Sequence, residues 1–117
     1  FYPFVTVTDD PTPPSNLWES CMFGEFTVVA SNSFILPGTK IGRHCFISAQ
    51  SRVGGKVEDF SFMHGSPAKR VFDIRKVPII NKETKRRQYP WPYNFDRGMP
   101  WAEIGFEQWL ALNQRSL

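Results

Sequence analysis

Large apolar residues recur every six positions along the first half of the chain, and small residues follow each of them at a fixed distance. The large position is taken by Leu17, Phe23, Val29, Ile35, Ile41, Ile47 and Val53. Four residues after the first six of these come Cys21, Thr27, Ser33, Thr39, Cys45 and Ser51. Six residues are too few for a helical repeat, so the period indicates a short strand plus a turn. Three such units would close one triangular coil, with the large residues inside and the small ones at the corners.

This register makes specific predictions about stacking and turns. Leu17, Ile35 and Val53 should lie above one another on one face of the prism. Glycines recur one position after the large residue, and we expect them to supply turn conformations that other residues resist. After Val53 the hexad count predicts that Asp59 and Gly65 continue the series.

Both ends of the repeat carry different patterns. Upstream, Phe1 and Val7 read as a further hexad pair, and residues 9–16, with three prolines and two aspartates, read as a projecting loop. Downstream, the hexads stop before Asn81. The sequence therefore predicts a β-helix domain at 1–75 and a C-terminal arm at 76–117.

The arm combines an aromatic stretch with a predicted helix. Tyr89–Phe95 is rich in proline and aromatic residues and should be extended. A short α-helix is predicted to begin at Pro100–Glu103 and to run to about residue 114. The three tryptophans of the arm suit either a packing role, over an end of the coils or a neighbouring subunit, or a wall on which a sugar or base stacks.

Composition narrows the function classes. The 117 residues carry a net charge of +3, and no apolar run approaches the ~20 residues of a membrane span, so neither a nucleic-acid nor a membrane partner is expected. Residues 69–87 contain eight basic and two acidic side chains, which suits a phosphorylated small ligand or a solvated face. Cys21 and Cys45 fall on different corners, so we expect free thiols in a reducing, cytoplasmic setting.

Three segments resemble one family. Ile35–Gly54 resembles the hexapeptide-repeat acyltransferases, whose fold is a left-handed parallel β-helix, and Gly65–Val71 is similar to the Gly-Asn/Val-Pro-Ala-Lys/Arg segment that closes their last coil. The loop at 9–16 is similar to the Thr-Asn-Asp-x-x-Pro-Arg-Ser loop of the sugar-nucleotide N-acyltransferases. The resemblance thus implies an all-β, left-handed parallel β-helix of about three coils with a C-terminal extension that contains a short α-helix.

The same resemblance implies a homotrimer that moves an acetyl or similar group from acetyl-CoA, or another acyl-CoA, to an amino sugar or sugar nucleotide. In the family the carrier lies along the coils between two subunits. By position, three residues would border its pantetheine arm and two basic residues would lie near its phosphates. These are Ser48, Ala49 and Gly54, and then Lys69 and Arg70. Gln50 departs from the family pattern, which often has glycine there.

The catalytic and acceptor residues follow less directly. The loop would bind the acceptor through Thr8, Asp9 and Asp10, and Asp10 stands where some relatives place a catalytic His. His64, beside the closing segment, is the second catalytic candidate. His44 falls at an outward position and is expected on the surface. Two histidines 20 residues apart cannot supply three ligands to a zinc ion, so no metal is expected.

Two alternatives stay open. One is an O-acetyltransferase of the same architecture, which needs a base to activate a sugar hydroxyl. The other is a non-catalytic β-helix scaffold that kept the trimer and lost the active site. Because Phe1 already lies mid-coil, we also expect that the sequence is a C-terminal fragment of a longer β-helix.

Overall fold

The computed structural model describes residues 1–117, which form two compact units, Phe1–Lys76 and Val77–Leu117. Strands make up the first unit, and the second holds the single α-helix. In chain order the elements are β1 Thr6–Val7, β2 Met22–Phe23, β3 Val28–Val29, β4 Phe34–Ile35, β5 Lys40–Ile41, β6 Phe46–Ile47, β7 Arg52–Val53, β8 Lys56–Val57, β9 Ser61–Gly65, β10 Ala68–Asp73 and α1 Phe106–Leu112, with 3₁₀ turns at Ile74–Lys76 and Trp91–Tyr93.

Successive strands of the first unit belong in turn to three different sheets. Their orders are β1-β4-β7, β2-β5-β8 and β3-β6-β9-β10, and every pairing is parallel except that of β9 with β10. Met22 lies opposite Lys40 and Phe34 opposite Arg52, so these neighbours are 18 residues apart in the chain. The prediction of an all-β chain with parallel strands is confirmed in this parallel β-helix-like arrangement.

The core is a column of apolar side chains contributed by the second residue of each short strand. The buried members are Val29, Ile35, Ile41, Ile47, Val53 and Val57, joined by Met63 of β9. The first residue of a strand points outward, as the exposed Lys40 and Arg52 show. This alternation is the ordinary period of a strand, and it confirms the predicted large positions from Val29 to Val53.

The residues at the small positions form a second buried series, and their side chains make hydrogen bonds. Ser33, Thr39, Cys45 and Ser51 are each at most 2% exposed. Ser33, Thr39 and Cys45 donate to backbone carbonyls, for example Ser33 Oγ to Ser48 at 3.0 Å and Cys45 Sγ to Glu58 at 3.1 Å. Ser51 Oγ bonds instead to Ser48 Oγ and to the Gly65 amide. A buried hydroxyl or carbonyl without a partner would cost about 1–3 kcal/mol, so these bonds help to stabilise the stacking of coils. Burial also raises the pKa of the Cys45 thiol.

The predicted register is wrong at both ends of the repeat. Val7, and not Leu17, lies opposite Ile35, and Leu17 is 58% exposed outside any strand. After Val53 only Gly54 and Gly55 separate β7 from β8, so the inward residues are Val57 and Met63 and not Asp59 and Gly65. Lys40 therefore pairs with Lys56, at a separation of 16 residues.

The glycines also act differently from the prediction. Left-handed backbone occurs at the fourth place of the hexads, mainly at residues with side chains, such as Asn32 and Gln50, both with φ of 62°. The recurrent glycines instead allow stacked coils to approach closely. A Cβ on Gly24 would lie 2.4 Å from the carbonyl carbon of Gly42, and one on Gly42 would lie 2.3 Å from Asp59 Oδ1.

The second unit, Val77–Leu117, has its own aromatic core. Trp101, Phe106 and Leu110 are buried, and the ring of Trp101 lies 5.9 Å from that of Trp91 and 5.2 Å from that of Trp109. The predicted helix exists but begins later than Pro100, at Phe106. Gly105 has a φ of 87°, which no α-helix contains, so the residues before it form separate turns.

Candidate functional site

The strongest concentration of reactive side chains lies at the corner between β6 and β7, beside the end of β9. Ser48 Oγ is 2.7 Å from His64 Nδ1 and 3.0 Å from Ser51 Oγ. The Gly65 amide donates to Ser51 Oγ at 3.3 Å. Two residues predicted to serve different roles, Ser48 for the carrier and His64 for catalysis, are therefore in direct contact. Ser51, which bonds to Ser48 and to the Gly65 amide, is a third member of this hydrogen-bonded group. The sequence did not reveal it, because its hexad position indicates only a small corner residue.

The β9–β10 hairpin brings the two predicted basic residues to this region. Lys69 lies directly across from His64, and Arg70 across from Met63, in the antiparallel ladder. Arg70 is held in place, since its Nε donates to Ser61 Oγ at 3.2 Å and it lies 3.7 Å from Asp73. Lys69 is exposed. The arrangement places one positive side chain in contact with solvent directly opposite the imidazole.

The remaining predicted carrier residues lie at different corners, since Ala49 follows β6, as Ser48 does, whereas Gly54 lies between β7 and β8. Ala49 is exposed in the turn that follows Ser48, and Gly54 is exposed directly after β7. A Cβ on Gly54 would come within 2.8 Å of the Leu36 side chain. Gln50 lies in the turn that also contains Ala49, and its φ is 62°. The backbone at this position therefore has a conformation that favours glycine, although the residue carries a long side chain.

The chemistry available at this corner is proton transfer. His64 is exposed and contacts Ser48 through Nδ1. When the imidazole carries its proton on Nδ1 and donates it to Ser48 Oγ, Nε2 has a lone pair directed elsewhere and can accept a proton. Ser48 and Ser51 then fix the orientation of the ring, in the way a third group orients a catalytic base.

The loop that was predicted to bind the acceptor is organised around Asp10. Its carboxylate accepts the Ser15 hydroxyl at 2.6 Å, the Ser15 amide at 2.8 Å and the Thr12 amide at 3.0 Å. The bond from the Ser15 hydroxyl is the main reason why the pKa of Asp10 is lowered. A carboxylate so occupied is a poor proton acceptor and a good anchor for the loop.

Thr8 and Asp9 flank this anchor. The Thr8 hydroxyl donates to the Ile35 carbonyl at 2.8 Å, and the Asp9 carbonyl accepts the Glu19 amide at 2.7 Å, while the Asp9 side chain is exposed. No hydrogen bond or ion pair joins the loop to Ser48 or His64. Within this chain the two parts of the predicted site are therefore separate.

The expectation that His44 lies on the surface is wrong, because the side chain is 2% exposed. Its ring stacks on Phe60 at 5.3 Å and on Phe26 at 5.0 Å, and all three residues occupy the same left-handed turn position in successive coils. Side chains at this corner cover one another. Loss of solvent, with a smaller effect of Arg43, lowers the pKa of His44 to about 4, so the ring is neutral at pH 7 and belongs to the packing.

A groove on the face of the β2-β5-β8 sheet was not predicted. It is open to solvent, has a volume of about 600 Å³ and is lined in part by Met22, Lys40, Lys56, Phe60 and Arg75. Lys40 and Lys56 precede the inward residues Ile41 and Val57, so they face outward. In the sequence, the only sign of this groove is that Lys40 and Lys56 each precede an apolar residue. The predicted register after Val53 was wrong, so it did not show that the two lysines lie opposite each other.

No three His, Cys, Asp or Glu side chains come together in a way that would hold a metal ion. The α-helix is too short and too polar to cross a membrane. Comparison with models of protein families and with curated proteins finds no match to this chain.

Proposed function

We propose that residues 1–76 form a left-handed parallel β-helix that works as a homotrimer, and that the chain is an acyltransferase. The donor would be acetyl-CoA or another acyl-CoA, and the acceptor an amino sugar or a sugar nucleotide. The observation that carries this proposal is the 2.7 Å contact between Ser48 and His64. It puts a candidate base at the corner where the resemblance implies the pantetheine arm.

In the proposed reaction, His64 Nε2 accepts a proton from the acceptor as the acceptor attacks the thioester carbonyl carbon. The new carbon–nitrogen or carbon–oxygen bond forms, the carbon–sulfur bond breaks, and the proton passes on to the departing thiolate. Ser48 keeps the imidazole in the tautomer that leaves Nε2 free. General base catalysis of this kind contributes about 10²–10⁴-fold to the rate.

The positive charges suit the donor. Lys69 and Arg70 lie on the hairpin that carries His64, and their positive charges would attract a phosphate-bearing carrier to this part of the coils. Arg70 is oriented by Ser61 and Asp73, so part of its charge is already balanced. We therefore expect Lys69 to contribute more than Arg70 to carrier binding.

The Ser48–His64 contact also favours O-acyl transfer as a second candidate. A free amine attacks a thioester without much help, whereas a sugar hydroxyl has to lose its proton to a base. The occupied carboxylate of Asp10 removes the other predicted base from competition. If the acceptor is a hydroxyl, His64 carries the whole of that task.

The first experiment is calorimetric titration of the purified chain with acetyl-CoA, followed by assays with amino-sugar and hydroxyl acceptors. We expect saturable binding, and a loss of at least about 100-fold in kcat for His64→Ala with a hydroxyl acceptor. Retention of most activity with an amine acceptor would identify N-acyl transfer. Absence of binding by a well-folded trimer would contradict the proposal and favour a scaffold.

A further inference from the structure

The groove on the β2-β5-β8 sheet has a floor made of two lysines. Lys40 and Lys56 are partners in adjacent parallel strands, and such strands lie about 4.8 Å apart. Like charges directly opposite each other destabilise a sheet. Neither lysine is within ion-pair distance of a carboxylate. Lys40 donates one hydrogen bond, to the Ser20 carbonyl at 3.3 Å.

One wall of the groove is flat and already ordered. The Arg75 guanidinium lies 4.0 Å from the centre of the Phe60 ring. Its Nε and a terminal nitrogen are bound to the Asp73 carboxylate at 3.0 and 2.7 Å. Phe60 in turn stacks on His44. This wall is thus the end of a rigid stack, and its side chains need little further ordering when a ring packs against them.

The acidic residues of the groove leave the lysines accessible. Asp59 uses Oδ1 to accept the Arg43 amide at 2.8 Å, which fixes that carboxylate at the corner beside Gly42. Glu58 is exposed and forms no ion pair with either lysine. Asp73 is paired with Arg75, so Lys40 and Lys56 are the two cations of the lining that have no carboxylate within ion-pair distance.

We infer that this groove binds a small phosphorylated molecule that also carries a ring. The two ammonium groups would hold the phosphate, which relieves their mutual repulsion, and the ring would pack against the outer face of the Arg75 guanidinium, whose other face covers Phe60. A volume of about 600 Å³ lies within the usual range for small-molecule sites. Sugar phosphates and nucleotides share this chemistry.

This inference does not rest on the proposed acyl transfer. The groove follows the β2-β5-β8 sheet, whereas Ser48 and His64 lie at the corner between β6 and β7. A ligand in the groove would therefore leave that corner unoccupied. Failure of acetyl-CoA to bind would not affect the prediction made for the groove.

The test is calorimetric titration at constant ionic strength, without acetyl-CoA, using glucose 1-phosphate and uridine 5′-monophosphate. Inorganic phosphate, glucose and uridine are titrated alongside. The variants are Lys40→Ala/Lys56→Ala, Lys40→Arg/Lys56→Arg, and the matched control Lys82→Ala, an exposed lysine of the second unit. Thermal unfolding of each variant verifies that it is folded.

We expect at least one of the two phosphorylated compounds to bind, more tightly than inorganic phosphate and far more tightly than its unphosphorylated parent. The double alanine variant should lose at least tenfold in affinity, and the arginine variant and Lys82→Ala should bind within about threefold of the natural chain. The tighter of the two compounds identifies the source of the phosphate. Binding by neither, or equal binding by the double alanine variant, overturns the inference.

Discussion

The two histidines differ in their place in the fold and in their surroundings. His44 lies in a left-handed turn, stacked between Phe26 and Phe60, with a pKa of about 4. His64 lies at the end of β9, exposed, with Nδ1 bonded to Ser48. The difference comes from the neighbours in adjacent coils, since aromatic rings at the same turn position cover His44 while hydroxyls meet His64. In a repeat of this kind, the burial of a side chain therefore depends on the residues that lie beside it in the adjacent coils.

The sharpest way to separate the two histidines is to truncate each. We expect His44→Ala to lower the free energy of unfolding by about 2–4 kcal/mol, because it removes a ring stacked on both faces. His64→Ala should change it by no more than about 0.5 kcal/mol, as is usual for exposed positions. Urea denaturation at pH 7 measures both. Equal losses would show that the two corners are packed alike.

Acid should reveal the same difference with a smaller effect. His44 has a lower pKa in the folded chain than the ordinary 6.5 of the unfolded one. The unfolded state therefore binds the proton first, so stability is complete above about pH 6.5 and is lost as the pH falls toward 4. We expect this group to account for about 1–3 kcal/mol of that loss.

The control for the acid effect is His44→Phe, which keeps a stacked ring and has no proton to bind. Its unfolding free energy, measured from pH 7 to pH 4, should decline less than that of the natural chain by the amount stated. Parallel curves for His44→Phe and the natural chain would contradict the assignment.

The effect on stability expected at Ser48 is smaller than either effect expected at His44. Ser48→Ala removes the bond to His64 and the contact with Ser51, and a net hydrogen bond contributes about 0.5–1.5 kcal/mol. If the corner serves catalysis as proposed, kcat should fall about tenfold while stability changes by about 1 kcal/mol or less. Ser48→Thr keeps the hydroxyl and should restore most of the rate. A full rate in Ser48→Ala would remove Ser48 from the mechanism.

The sequence predicted the part of the fold that depends on period. Inward positions from Val29 to Val53 were correct because a large residue at a fixed spacing has only the interior to fill. The register failed at Leu17, where the loop carries the chain away from the coil, and after Val53, where two glycines replace a longer turn. Period says nothing about the length of a connection, so neither failure could be corrected from the hexads.

The sequence predicted which residues belong to the candidate site better than it predicted the hydrogen bonds that join them. Ser48 and His64 were both named, but their contact depends on which residues lie one coil apart, and Ser51 completes it from a corner position. Asp10 was proposed as a base because it precedes Pro11, and only the fold of the loop shows its carboxylate occupied by Ser15. Local hydrogen bonds of this kind do not produce a periodic pattern in the sequence, so they could not be predicted from it.

The short connection at Gly54–Gly55 bears on how such a chain can change its length. The coil that contains it advances 16 residues where its predecessor advances 18, and yet β8 and β9 still pair with β5 and β6. A deletion of two residues is thus absorbed within one turn and does not spread to the strands that follow. This edge of the prism is the natural place for insertions and deletions, both during divergence and in redesign.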